Sequence, residues 1–322
     1  MKLGLFLNTQ FREGADVRAH IPDLLAQVRA AREAGFASLW LPHHYLTAPM
    51  QMLQLAPLTA FLLHEARGMQ VGPGILILPL LNPVHVAEEA ATFEALTDGN
   101  YVLGVGLGYR EGEFNAFGVP LSERAARFTE AVGLMRRLWA EPKVTHEGKF
   151  YAVREHGLSL RPRGGKLPVW IAAQAEPAIR RAARLGDAWL IVPSSTLTEV
   201  AAQMRLYRAA LAEHGRHPDC FPIERECYVG ARNATAMEEC RGPLEYKYAA
   251  YASWGLRGST QMPFEDFARE RFIIGDAESV KDQIADYRDT LGVDHMILRV
   301  QWPGLPQEAA LKSIERLGRI FA

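Results

Sequence analysis

Short apolar runs, many of them β-branched, alternate along the chain with longer segments whose apolar positions recur at helical spacing. Leu3–Leu7 precedes Ile21, Leu24, Leu25, Val28 and Ala31, which form one stripe on a helix that Gly35 is placed to end. The pairing repeats with Ser38–Leu41 and Leu55–Ala66, Val71–Leu78 and Val84–Leu96, then Tyr101–Leu107 and Arg124–Trp139. It continues with Val169–Ala173 and Pro177–Leu185, then Ala188–Val192 and Leu197–His214. Ile223–Ala231 with a helical stretch from Ala236 to about Trp254, and His295–Val300 with Ala309–Phe321, complete eight strand–helix pairs. Strands covered on both faces read as near-continuous apolar runs, as these do. Eight such units predict an α/β fold, a single (β/α)8 barrel spanning 1–322, with an open doubly wound sheet as the alternative.

Two segments interrupt the repeat. Residues 141–167, with Val144, Phe150 and Tyr151 around His146-Glu147-Gly148-Lys149, predict a hairpin excursion. Residues 255–290 predict a loop from Gly255 to Pro263, a short helical piece and an extra helix from Ala277 to Tyr287. Long loops on a compact barrel are commonly functional or mobile.

Composition narrows the function classes. The 322 residues carry 36 Lys plus Arg against 37 Asp plus Glu, a net charge of -1. That balance argues against nucleic-acid binding and against a polybasic membrane anchor. The three cysteines, Cys220, Cys227 and Cys240, form no C-x-x-C and no even disulfide framework, which fits a reducing cytoplasm. Asn8 cuts the first apolar run too short for a signal peptide, and Ile75–Leu81 is far short of a spanning helix.

Barrel active sites form at the C-terminal ends of the strands. The residues standing there are Asn8-Thr9-Gln10, His43-His44-Tyr45, Pro79 and Asn82, Gly108-Tyr109-Arg110, Gln174-Ala175-Glu176, Ser194-Ser195, and Gln301-Trp302. This set is rich in hydrogen-bonding groups and poor in charge, which suits a large planar ligand better than a bare polyphosphate.

Gly104-Val105-Gly106-Leu107-Gly108 has the spacing G-x-G-x-G, and a helix does not follow directly, so it is not the dinucleotide fingerprint. Glycines at alternate strand positions bare one face. That face either floors a flat ligand or admits a tightly packed barrel interior. His43-His44 is poorly placed to chelate one metal, since neighbours on an extended chain diverge, and His64-Glu65-Ala66-Arg67 lacks a second His; no metal site is expected. One His at a barrel mouth is an acid/base candidate, against the structural role of most lone histidines. Pro177 suits the first helical position, and the amides before it can cradle a phosphate, provided Glu176 points outward. The basic group Arg161, Arg163 and Lys166 reads as solvated surface. No G-x-S-x-G supplies a hydrolase nucleophile.

Taken in order, the segments resemble the bacterial luciferase-like flavin-dependent oxidoreductase family over nearly the whole chain. The resemblance rests on Gly4 to Gln10, Trp40-Leu41-Pro42-His43-His44, Pro79 to Ala91, Gly104 to Gly108 with Glu113-Phe114 and Phe117-Gly118, and Glu130 to Trp139. Gly148-Lys149-Phe150-Tyr151, Pro168 to Ala175, Phe272-Ile273-Ile274-Gly275 and Gly292-Val293-Asp294 extend it. It implies a barrel that takes diffusible reduced flavin mononucleotide (FMN), or in one branch the deazaflavin coenzyme F420. The family's active-site His falls on His43. Its phosphate-binding amides fall on Gln174 and Ala175, with Ser194 beside them, and ring contacts on Asn8, Gly74 and Gly106. Pro42 stands where the family often has Glu, Thr97-Asp98-Gly99-Asn100 replaces Ser-Gly-Gly-Arg, Ala175 replaces a phosphate-turn Ser, and Gly106 stands where luciferases have Cys.

The expected activity is monooxygenation of a small organic substrate such as an aldehyde, a ketone or a hydrocarbon-like compound. Tyr45, Tyr109, Trp254 and Trp302 would wall the substrate site against water, with His43 as acid/base. A flavin reductase partner and a homodimer are implied by the same resemblance. Deazaflavin hydride transfer and non-catalytic flavin binding are the alternatives, and selectivity is expected in loops 43–54 and 255–275.

Overall fold

The computed structural model describes residues 1–255 and 263–321. Its main sheet contains β1 (Lys2–Phe6), β2 (Ser38–Leu41), β3 (Gln70–Pro73), β4 (Leu76–Ile77), β5 (Leu103–Gly106), β6 (Val169–Ala173), β7 (Ala188–Ile191), β8 (Pro222–Val229), β9 (Phe272–Gly275) and β10 (His295–Arg299). All the pairings are parallel, and β1 lies between β10 and β2, with Lys2 opposite His295 and Gly4 opposite Ser38. From β2 the ladder runs to β3, and from β10 through β8, β7, β6 and β5 to β4.

Strands β3 and β4 occupy one barrel position, separated at Gly74–Ile75, whose peptide is cis. A parallel bridge between Val71 and Tyr101 closes the ring. The eight expected strand positions are therefore all present in a (β/α)8 barrel. β9 is an addition: it pairs only with the outer half of β8, Glu226 opposite Phe272 through Val229 opposite Gly275, starting at the residue where the pairing of β8 with β10 ends.

The principal helices are α1 (Ile21–Glu33), α2 (Leu55–Leu62), α3 (Pro83–Leu96), α4 (Arg124–Ala140), α5 (Glu176–Leu185), α6 (Leu197–Glu213), α7 (Asn233–Ser253), α8 (Ala277–Leu291) and α9 (Gln307–Phe321). Gly35 takes φ 82° just past the C-cap of α1, the left-handed conformation a side chain resists. The hairpin expected at 141–167 forms between Val144–Glu147 and Ala152–His156. The extra helix runs to Leu291 and stops at Gly292 with φ 72°. Residues 256–262 of the expected 255–263 loop lie outside the described residues. No described helix is long and apolar enough to cross a membrane.

The N-terminal half of the barrel interior is filled. Trp40 stacks on Trp170 with centroids 4.8 Å apart, and Ser38 Oγ joins Trp40 Nε1 (2.8 Å) to His295 Nε2 (2.7 Å). Gly104 belongs to this packed region, where a Cβ would run into the Pro73 carbonyl. The C-terminal half is open, and the site lies there.

Candidate functional site

A cavity of about 370 Å³ opens at the C-terminal mouth of the strands, within the range of cofactor and small-molecule sites. His43, Gly74, Gly106, Tyr109, Gln174, Ala175 and Ser194 all line it. These positions come from five separate strand ends, brought together only by barrel closure.

The β2 end supplies His43, which is 5% exposed. The Ile77 amide donates to its Nδ1 at 3.2 Å, so the proton of the neutral ring sits on Nε2. Burial, then neighbouring His44, pushes its pKa down to about 4. At neutral pH His43 is an uncharged ring whose free nitrogen can donate but not accept. His44 also lines the cavity but turns to Glu113, with Nδ1 3.0 Å from Oε1.

Glu113 organises this end, a role not evident from sequence. Its Oε1 accepts from the Tyr45 amide (2.8 Å) and Arg110 Nη1 (3.2 Å), while Arg110 donates to the Tyr45 and Leu46 carbonyls at 2.6 and 2.9 Å. Burial works against the Glu113 charge, but its partners His44, the Tyr45 amide and Arg110 hold the carboxyl below its ordinary pKa.

The glycine strand serves a different purpose from a bare floor. A Cβ on Gly106 would lie 2.6 Å from Ile75 Cδ1, so the missing side chain is replaced by Ile75, itself a lining residue. A Cβ on Gly74 would lie 2.7 Å from both Glu224 Oε1 and the Phe6 ring. The floor is thus Ile75 and the Gly74 backbone, seated on the space that Gly106 leaves. The bare face expected at Gly106 is thus covered in part by Ile75, while Gly74 and Gly106 both line the cavity.

At the opposite wall, Ala175 is the N-cap of α5 with extended φ/ψ, and Pro177 occupies the first turn. Glu176 points outward to Arg180, 3.0 Å away. Gln174 Nε2 donates to Ser195 Oγ at 3.2 Å. Buried Arg225 fixes the adjoining loop by donating to the carbonyls of Val192 (3.1 Å) and Ser195 (3.0 Å).

Four expected contacts fall elsewhere. Asn8 is bonded to Gln301 Oε1 (2.8 Å) and lines a neighbouring cavity of about 300 Å³. Tyr45 packs behind His43, ring centroids 4.6 Å apart, and against Phe117. Trp254 lies beside His44 under the Arg110 guanidinium, 4.2 Å from its ring. Trp302 is fully buried and donates to Glu226, so it forms no wall; the tyrosines that line the cavity are Tyr109, Tyr248 and Tyr251.

The inner end holds a polar group that the apolar reading of the strands concealed. Glu224, Lys247, Tyr248 and Arg299 line it. Burial pushes Glu224 up to about 8 and Lys247 down to about 7. Glu224 Oε1 and Arg299 Nε and Nη1 are buried without hydrogen-bond partners.

A nearly closed parallel (β/α)8 barrel thus carries a ligand-sized cavity at its C-terminal mouth, beside the N-terminus of α5. Residues 1–295 match the family model described as luciferase-like monooxygenase, and the chain belongs to that family. It is 27% identical over 252 residues to the phthiodiolone/phenolphthiodiolone dimycocerosates ketoreductase of Mycobacterium kansasii, covering 67% of this chain and 68% of that one. Among solved structures, an F420-dependent secondary alcohol dehydrogenase with an F420-acetone adduct superposes with TM-score 0.81 at 19% identity, covering 99% of this chain and 97% of that one. The oxygenating constituent of 3,6-diketocamphane monooxygenase from Pseudomonas putida, in complex with FMN, has TM-score 0.81 at 18% identity over the same shares. At those identities the likeness is one of fold.

Proposed function

We propose that the chain is a flavin-dependent monooxygenase that takes reduced FMN and O2 and oxygenates a small organic substrate, an aldehyde, a ketone or a hydrocarbon-like compound. The observation that carries this reading is the cavity itself. It runs from the amides at the start of α5, across the Gly74–Ile75 floor, to unpaired buried polar atoms at its inner end. A ring with an anionic tail fits such a site: the helix N-terminus at Gln174 and Ala175 would hold the tail, and the inner end would hold the polar edge of the ring. When bound, reduced flavin supplies the activation of oxygen.

The chain's own contribution is position, dryness and one directed proton. Ile77 fixes the His43 tautomer, leaving Nε2–H to donate to an oxygen of the substrate. Tyr109 and Tyr251 line the cavity with aromatic surface, and Ile75 and Ala172 supply apolar contact. A separate flavin reductase would deliver the reduced cofactor, and the resemblance to the family supports a homodimer.

A second reading is deazaflavin-dependent hydride transfer to a carbonyl. The donor-only state of His43 favours it, since a polarised carbonyl needs a donor. Anaerobic titration with reduced FMN and with reduced coenzyme F420, followed by an oxygen trace with an aldehyde and ketone panel, tests both. Tight FMN binding with oxygen uptake coupled to product supports the monooxygenase. Tight F420 binding with carbonyl reduction and no oxygen uptake replaces it. Binding without turnover on the panel supports a non-catalytic flavin carrier.

A further inference from the structure

Glu224 and Glu226 stand two apart on β8 and therefore face the same way, into the barrel, while Arg225 between them points outward to Tyr287. The two carboxylates are in different situations. Glu226 is fully engaged, by Lys247, by the Tyr248 hydroxyl at 3.0 Å and by Trp302. Glu224 lines the cavity, and its Oε1, buried against Gly74, has no partner.

Arg299 is opposite Glu226 in the β8–β10 register. Its guanidinium lies 4.0 Å over the Phe6 ring, and its Nη1 is 3.9 Å from Glu226 Oε1, beyond hydrogen-bonding reach. Buried N–H groups of a cation without an acceptor are costly; Arg299 has two, at Nε and Nη1, and the side chain lines the cavity, so an acceptor that arrives from outside is implied. With Glu226 ionised, burial keeping Glu224 largely protonated, and Arg299 charged, the inner end carries no net negative charge to repel an anion.

We propose that Arg299 and Glu224 together recognise the pyrimidinedione edge of the cofactor ring, with Arg299 selecting the reduced, anionic form. This rests on the flavin reading above. Reduction places negative charge on N1 and the C2 carbonyl oxygen of the ring, an acceptor suited to the Arg299 guanidinium. The imide N–H next to that carbonyl is a donor in both redox states and suits the Glu224 carboxyl. FMN and the deazaflavin share this edge, so the assignment holds for either cofactor.

The test is anaerobic titration of oxidised and reduced FMN into the full chain and into Arg299→Met, Arg299→Lys and Glu224→Gln, with circular dichroism as the folding control and coenzyme F420 as a second probe. Arg299→Met is expected to weaken reduced FMN at least about tenfold while oxidised FMN changes by about threefold or less. Arg299→Lys keeps the charge without the fork and should retain part of the preference. Glu224→Gln should alter both redox states alike. An unchanged ratio of the two affinities in folded Arg299→Met overturns the assignment. If Arg299→Met does not fold, wild-type affinities for both states in Arg299→Lys overturn it. Unchanged flavin affinities with a raised KM for a carbonyl substrate would place these residues on the substrate and overturn it as well. A wild-type chain that binds neither FMN nor F420 in either state removes the flavin reading, and this assignment with it.

Discussion

The backbone amide of Ile77 donates to His43 Nδ1 across 3.2 Å, and that contact decides which proton chemistry His43 can perform. The acceptor nitrogen is occupied, so the neutral ring presents Nε2–H as a donor and not the proton-accepting face that its position at the β2 end first suggests. His43→Ala is expected to lower turnover by ~10²-fold while reduced FMN still binds. Single-turnover rates at saturating flavin check this; an unchanged rate removes His43 from the mechanism.

The same geometry sets a pH dependence. The folded-state pKa of His43 is pushed down to about 4 from an ordinary value near 6.5, by burial and then by His44. Its contribution to stability is therefore full above about 6.5 and is lost as the pH falls from there towards 4, because only the unfolded chain takes up the proton in that window. Denaturant melts of wild type and His43→Gln across this range should converge as the pH drops. An NMR titration of the His43 ring showing a midpoint near 6.5 in the folded chain would contradict the assignment.

Glu113 is expected to matter for shape more than for chemistry. It is the shared acceptor for His44, the Tyr45 amide and Arg110, so Glu113→Ala leaves Arg110 buried without its counter-charge. A loss of about 3 kcal/mol is expected, with the 43–54 loop becoming the fastest-exchanging part of the barrel mouth. Because the Glu113 carboxyl is held low by His44 and Arg110, this contribution is present above the ordinary carboxylate pKa and vanishes as the pH falls through the lowered value. Thermal melts together with hydrogen exchange of residues 43–54 measure both effects.

Anchoring of the cofactor tail should depend on backbone amides. Ala175 provides no hydroxyl, and Glu176 is turned away to Arg180, so the N-terminus of α5 is the available anion site on this wall. Ala175→Asp is expected to cost about tenfold in FMN affinity and little in riboflavin affinity, since only FMN carries the phosphate. Equal binding of riboflavin and FMN by the wild type would defeat the idea.

The barrel was legible in the sequence because its strands are buried on both faces and read as apolar runs; Val169–Ala173 coincides with β6 residue for residue. β9 was not legible. Phe272–Gly275 is four residues long, follows a helical fragment, and is ordered by pairing with the outer half of β8, a tertiary contact with no local signature. At the site, residues immediately after strands were legible by rule, which located Tyr109, Gln174 and Ser194. The inner end was hidden because Glu224 and Arg299 lie within strands. The available signal was two glutamates at alternate positions of a strand buried throughout, a pattern that requires partners. Trp302 shows the converse: it follows a strand, yet its indole turns inward to satisfy Glu226.

Gly106 offers the sharpest test of how the floor is built. Its missing Cβ is the space into which Ile75 packs, with Cδ1 and Cγ1 lying 2.6 and 2.9 Å from where a methyl would sit. In Gly106→Ala the Ile75 side chain must rotate, and the free volume available to it is the cavity. The fold should survive, because a flexible side-chain end absorbs the change, but the displaced sec-butyl group would occupy the plane where a flavin ring would lie. Reduced FMN affinity is expected to fall about tenfold while the melting temperature shifts by only a few degrees. Ile75→Ala alone removes the floor and should weaken binding through lost contact. In the double variant the new methyl replaces part of the removed Ile75, so affinity should recover above that of either single change, a coupling that a double-mutant cycle reads directly. Strictly additive losses would mean that Ile75 and Gly106 do not share the surface on which the ligand rests.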